Sequence, residues 1–291
     1  MAKKTPDQQL AYNPQVGGNL LRGLMAMTGF SVESFEGAKR ENGICYWYAH
    51  EYMSALGYAS WPSFQSVITK AMGACTRLGL DPTEGFISDT YVDGGKTVKT
   101  YKLTRFACFL IAMHADSNKP EVAAAKAVLA GIAEKVISER DFGRLETRED
   151  LKLAEKVMTG VAKNSGLADN EFGIFKNSGF VGMYNMSIKD LGKYKGINSG
   201  DTLYDFMGLE ELAGNLFRVT QTAARIKNNN VKGLNQLSSA AKQVGQEVRT
   251  MMLKNGGVKP ENLPIEDKIS TVKSKLKNAN KQMKKIDQKK K

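Results

Sequence analysis

Two short stretches carry the residue types of a reaction centre. His50 and Glu51 begin the spacing of a zinc-binding HExxH helix, in which two imidazoles one turn apart hold the metal and the glutamate activates water. Ser54 stands where the second imidazole belongs. Gly94, Gly95, Lys96 and Thr97 resemble the end of a phosphate-cradling P-loop, but Thr90 occupies the place of its first glycine and a strand, not a helix, is predicted to follow. His50 and His114 are the only histidines, which leaves little for imidazole metal sites or nucleophile pairs. The acids form no short cluster of the kind that holds Mg²⁺. The expectation is a protein that is not an enzyme and uses no metal and no cofactor.

The other chemistry on offer is phosphate recognition by cations. The net charge is +12, and residues 268–291 hold ten lysines and one acid, Asp287, so +9 of it lies in that segment. Such a run attracts polyanions through counterion release, with affinity that falls steeply with salt; a solubilising tail is the alternative. A second candidate is the stretch 203–227. Leu209, Leu212, Ala213, Leu216, Phe217, Thr220, Ala223 and Ala224 follow the spacing of one buried helix stripe. Asn215, Arg218, Thr222 and Arg225 then share the opposite, outward row, either a phosphate reader or a plain solvated face.

The elements that must position these groups follow from pattern and punctuation. Residues 1–18 are polar and read as a flexible arm, residues 20–27 as a short helix, and residues 32–43 as an irregular or weakly extended lead-in. The first folded unit opens at Ile44. Residues 47–56 suit a helix ended by Gly57, and Ser60 can cap a second helix with Pro62 in its first turn. In that helix Trp61, Phe64, Ile68, Ala71, Met72 and Cys75 recur at core spacing, leaving Ser63, Gln65, Ser66, Thr69 and Lys70 outside. Helix, tight turn, helix with a short polar face suits a groove-docking recognition helix, although the same geometry occurs in proteins that bind no DNA.

Residues 86–103 read as a β-hairpin with Asp93, Gly94 and Gly95 at its turn. Lys96, Lys99 and Lys102, with Arg105, would form a basic strip along a phosphate backbone, or lysines guarding an edge strand. Thr104 caps an apolar helix from Arg105, Pro120 opens another that runs to Val136, and the domain closes near Ser138. The charged residues 139–150 are read as the linker, with Thr147 and Asp150 as a capping box for a helix over 151–163. Ser187 caps a short helix over 188–191, and Lys193, Tyr194 and Lys195 follow in a loop where the ring would stack on a base or pack on a neighbouring helix. Two heptad seams close the chain, Leu234 to Met251 and Ile269 to Ile286. They can pair as antiparallel helices within the chain or form a homodimer, and the last can fold on a partner.

Composition sets the outer bounds. The 291 residues, 42% hydrophobic and 25% charged, suit a soluble protein with room for two domains. No window approaches the roughly 18 to 20 apolar residues of a membrane span, and no signal-peptide core follows the N-terminus. Cys45, Cys75 and Cys108 are odd in number and widely spaced, which points to a reducing cytoplasm and no disulfide framework.

Three motifs then resemble one family. LYDFMGLEELAGNLFRVTQT with its basic NNNVK tail, and FGIFKNSGFVGMYN at 172–185, are similar to the C-terminal region of the DNA-damage-inducible protein D family of bacteria, which is tied to the SOS response. YWYAHEYMSALGYASWPSFQSVITKA, at 46–71, looks like a Bro-N module. The resemblance runs from about Phe35 to Asp267, with the basic terminal helix past it. It implies an α+β, mainly helical chain, with a Bro-N-like domain that has a small antiparallel hairpin or sheet over 35–140 and a helical domain over 141–265; composition adds a flexible arm over 1–34 before them and a lysine-rich helix or tail over 266–291 after them. It also implies a role after DNA damage in modulating a recombinase filament on single-stranded DNA. The expected partners are DNA, single-stranded or filament-coated, and the bacterial recombinase filament, with no membrane. The alternative is a sequence-specific transcription regulator or phage-type antirepressor. The residues expected to touch nucleic acid are Ser63, Ser66, Lys70, Lys96, Lys99, Lys102, Arg105, Lys193, Tyr194, Lys195, Asn215, Arg218 and Arg225.

Overall fold

The computed structural model describes residues 26–132 and 139–288. The expectations for the arm over 1–18, for a helix start at Leu20, and for Val136 and a closure near Ser138 lie outside the described residues. Two compact units are present: one takes the described residues within Met1–Ile137 and Lys275–Lys291, the other those within Ser138–Ser274.

The first unit starts earlier than its hydrophobic pattern suggests. A helical turn at residues 26–28 leads to buried Phe30. Helix α1 (Val32–Gly37) is opened by a capping box in which the Ser31 and Ser34 side chains each bond the other's backbone amide. The lead-in is therefore ordered, because Phe35 stacks on Trp47 at 4.4 Å and needs a helix to aim it there. Strand β1 (Arg40–Glu41) pairs with β2 (Cys45–Tyr48), so Trp47 belongs to a strand and helix α2 begins only at Ala49 (Ala49–Ala55). Three consecutive aromatics after Cys45 favour the pleated backbone over the helix.

Helix α3 (Trp61–Arg77) buries Phe64, Val67, Ile68, Ala71, Ala74 and Cys75, with Pro62 in its first turn as expected. Ser60 takes the cap position, but its hydroxyl bonds that of Ser63 at 2.9 Å instead of a helix amide. Strands β3 (Phe86–Asp93) and β4 (Lys96–Leu103) form the hairpin, with Gly94 and Gly95 both at positive φ as a two-residue turn between twisted strands requires. The four strands are antiparallel in the order β1-β2-β4-β3. Helix α4 (Arg105–His114), capped by the Thr104 hydroxyl, is apolar and nearly all buried, and α5 (Pro120–Ile132) packs on it.

The second unit is helical. Helix α6 (Glu139–Asn164) runs unbroken through the stretch expected to be a linker. Phe142 and Leu145 are buried there one turn apart, and the Arg144 guanidinium is buried too, donating to the carbonyls of Met207 and Asp267 at 3.0 and 2.9 Å. Two apolar residues among nine polar ones and a glycine suffice because the buried Arg144 guanidinium finds carbonyl and carboxylate acceptors. Helices α7 (Phe172–Tyr184), α8 (Ile188–Tyr194), α9 (Leu209–Asn228) and α10 (Gly233–Gly256) complete the unit.

Helices α7 and α10 cross at backbone contact. A methyl at Gly182 would run into the Lys242 carbonyl, and one at Gly245 would lie 2.5 Å from the Gly179 carbonyl. The seam of α10 (Leu237, Ala241, Val244, Val248) is thereby buried against α7, not against the last helix. Helix α11 (Ile269–Gln288) buries its own seam, Val272, Leu276, Ala279 and Met283, within the same chain. Both heptad seams are thus covered without a second copy, and only Met251 and Ile286 at their ends stay exposed.

Candidate nucleic-acid interface

The outward row expected on α9 is the buried one. Asn215 and Arg218 are 0% and 2% exposed, and Thr222 is equally enclosed, whereas Phe217 is 46% exposed and Ala213, Thr220 and Ala224 face outward. The buried face is displaced around the helix towards the polar row, with Leu212 and Ala223 of the apolar stripe still buried, because the polar side chains satisfy one another. Arg218 donates to the Asn215 side-chain oxygen (3.0 Å) and the Tyr204 hydroxyl (3.1 Å), Asn215 donates to the Tyr184 hydroxyl (2.6 Å), and Tyr204 donates to Glu155 (3.1 Å). The Arg218 guanidinium also lies 4.9 Å from the Phe180 ring centre, and Gly179 leaves the room it needs. Arg225 is at the rim of this face and pairs with Glu247 at 2.7 Å.

Lys195 is likewise withdrawn from any ligand. It sits at the end of α8, buried, with its ammonium between both Glu211 carboxylate oxygens (2.9 and 2.8 Å) and the Leu263 carbonyl (3.1 Å). Burial pushes the Glu211 carboxyl above the ordinary carboxylate range, and the Lys195 charge opposes that shift. Lys193 and Tyr194 occupy the last turn of α8 and not a loop; both are exposed, and the Tyr194 hydroxyl donates to Asn262 at 2.9 Å.

The hairpin lysines do not make one strip. In β4 Lys96 and Lys102 share a face while Lys99 points to the other, since alternate residues of a strand face opposite sides. Lys102 is held by Asp89 at 3.0 Å; Lys96 and Lys99 are exposed. Arg105 leaves the strip altogether. Fully buried, it donates to Asp287 at 2.6 and 2.9 Å, pairs with Glu36, and stacks 4.9 Å from the Trp47 ring centre. Burial opposes its charge, but the bonds to Glu36 and Asp287 prevail and hold its pKa above the ordinary value.

Ser63, Ser66 and Lys70 are exposed on α3 as expected. Behind them lies His114 of α4, whose imidazole burial pushes down from 6.5 to about 4, with Arg77, Lys70 and Lys126 acting in the same sense. Its folded pKa is depressed, so its contribution is complete above the ordinary value and is lost as the pH falls through 6.5 towards 4. Up to about 3 kcal/mol is expected to go over that interval. Urea midpoints of His114→Gln should then vary less with pH than those of the parent, and an equal dependence would refute the assignment.

The cations that sequence reasoning left unnamed lie on α11. Lys277, Lys281 and Lys285 recur every fourth residue on the side opposite Leu276, Ala279 and Met283, and all three are exposed. The signal was present in the heptad seam, because the seam fixes which lysines must face out. Among the described residues no three His, Cys, Asp or Glu side chains gather as a metal site would require. No helix among the described residues is long and apolar enough to cross a membrane.

A family model described as the DinD C-terminal domain matches residues 137–286. The match takes in α11 almost to its end, so the basic helix lies within the family's span and not past it. Among curated proteins, DNA damage-inducible protein D of Escherichia coli (strain K12) is similar, with 33% identity over 240 residues, 77% of this chain and 87% of that protein.

Proposed function

Because this chain belongs to the DNA damage-inducible protein D family, we propose that it acts in the DNA-damage response as a non-enzymatic protein that binds single-stranded or recombinase-coated DNA and modulates recombination. The observation that carries the binding is the concentration of +9 in residues 268–291, of which Lys277, Lys281 and Lys285 line one face of an ordered helix. Lys70, Lys96 and Lys99 add exposed cations on the first unit, and Lys193 with Tyr194 offers a ring beside an ammonium on the second. Contacts of this kind read phosphate rather than base edges, so they suit sequence-tolerant binding. Arg105, Lys195, Asn215 and Arg218 belong to the scaffold in this reading and not to the interface.

The test is a fluorescence-anisotropy titration against a single-stranded oligonucleotide, a random duplex and recombinase-coated single strands, each at two salt concentrations. Preference for bare or coated single strands, without sequence dependence, is the expected result. Binding that sharpens on selected duplex sequences would replace this reading with a transcription regulator acting through α3. Absence of binding to all three would remove nucleic acid from the function.

A further inference from the structure

The lysine-rich helix α11 is a poor helix on its own account. Lys273, Lys277, Lys281 and Lys285 stand four apart, and like charges at that spacing repel and destabilise an isolated helix. Its docked part relies on a narrow seam of Leu276, Ala279 and Met283. An open cleft of about 670 Å³ lies beside the end of that seam, lined by Ile44, Ile87, Phe106, Met283, Arg105 and Asp287 among others. What pins the helix end is polar. Asp287, the one acid in residues 268–291, enters the Arg105 guanidinium opposite Glu36, its carbonyl accepts the Cys45 thiol at 3.5 Å, and Lys284 pairs with Glu84 at 2.9 Å.

We infer that Asp287 is a positioning residue, and that its clasp on Arg105 holds Lys277, Lys281 and Lys285 in a preformed row for the phosphodiester backbone of single-stranded DNA. Consecutive lysines of the row are four residues apart, about 6 Å along the helix axis. A flexible single strand can lay successive phosphates along such a straight line without first being bent. A docked row has already met the cost of ordering the segment, and a free lysine tail meets it on binding. The phosphates in turn relieve the repulsion along the row, so binding and docking reinforce one another. The inference rests on the proposed DNA binding and adds how the cations are presented.

The charge of Asp287 makes the test sharp. Asp287→Asn makes the protein more positive, so charge alone predicts tighter binding to a polyanion, whereas loss of the clasp predicts weaker binding. Anisotropy titrations of the full chain with oligothymidylate, over a range of salt, should give a Kd raised on the order of tenfold in Asp287→Asn with little change in salt slope. Proteolysis of the C-terminal segment should be faster in that variant. A second variant, Lys277→Gln/Lys281→Gln/Lys285→Gln, touches no buried group and should lower the salt slope by roughly two without lowering the melting temperature, since it relieves repulsion along the helix. Equal or tighter binding by Asp287→Asn, or an unchanged slope in the triple variant, overturns the inference while leaving DNA binding intact. A parent that ignores oligothymidylate but binds vesicles of anionic lipid would overturn both the inference and the function on which it rests.

Discussion

Replacing Glu211 with alanine is expected to cost the second unit about 3–5 kcal/mol, the range for removing one partner of a buried ion pair. Lys195 and Glu211 are both almost wholly enclosed, and the ammonium would keep only the Leu263 carbonyl. A charge left in that position must be neutralised, hydrated by local opening, or borne as strain. Replacing both partners, Lys195→Met with Glu211→Leu, should restore much of the loss, because two apolar side chains need no compensation. Urea unfolding followed by circular dichroism would measure the cycle. A single variant within about 1 kcal/mol of the parent would mean that water already reaches the pair. DNA affinity of the folded variants should be unaltered, which separates this polar core from the interface to which Lys195 was assigned by its place beside Tyr194.

Deleting residues 268–291 should act on binding and on stability together. The segment carries +9, so its loss is expected to flatten the dependence of single-strand affinity on salt by up to roughly six logarithmic units per decade of salt. Affinity at low salt should fall at least on the order of a hundredfold. The deletion also strips the cover given by Val272, Leu276 and Met283 and leaves Arg105 with Glu36 alone, so the melting temperature should drop. The lysine-to-glutamine variant of the exposed row keeps that cover, and the difference between the two isolates what charge contributes. An unchanged salt slope after the deletion would take the segment out of DNA binding altogether.

The two C-terminal family motifs, the hairpin at Gly94 and Gly95 and the cap at Thr104 were legible in the chain because each depends on neighbours a few residues apart, and so was the lack of a membrane-spanning helix among the described residues. A local rule needs only local residues. The same holds for the polar face of α3, where Ser63, Ser66 and Lys70 lie outside as their spacing demands. The charged stretch over 139–150 misled for the converse reason: its helix is held by Phe142, Leu145 and the reach of Arg144 to carbonyls more than sixty residues away.

Which of the residues expected to touch nucleic acid are free to do so turned on orientation, and orientation is a tertiary property. An amphipathic pattern states that a helix has two faces but not which is buried when the polar one can satisfy itself. In α9 the row Asn215, Arg218 and Thr222 went inward because Tyr184, Tyr204 and Glu155 complete its hydrogen bonds, so an ordinary solvated face became the core of the unit. Arg105 was drawn in by two carboxylates, one of them 182 residues on. By itself the sequence determined the family, the hairpin, most of the helices and the store of positive charge at the C-terminus. The tertiary structure alone decided that Arg105, Lys195 and Arg218 turn away from water, because that depends on which distant carboxylates, hydroxyls and carbonyls the fold brings within hydrogen-bonding distance of each one.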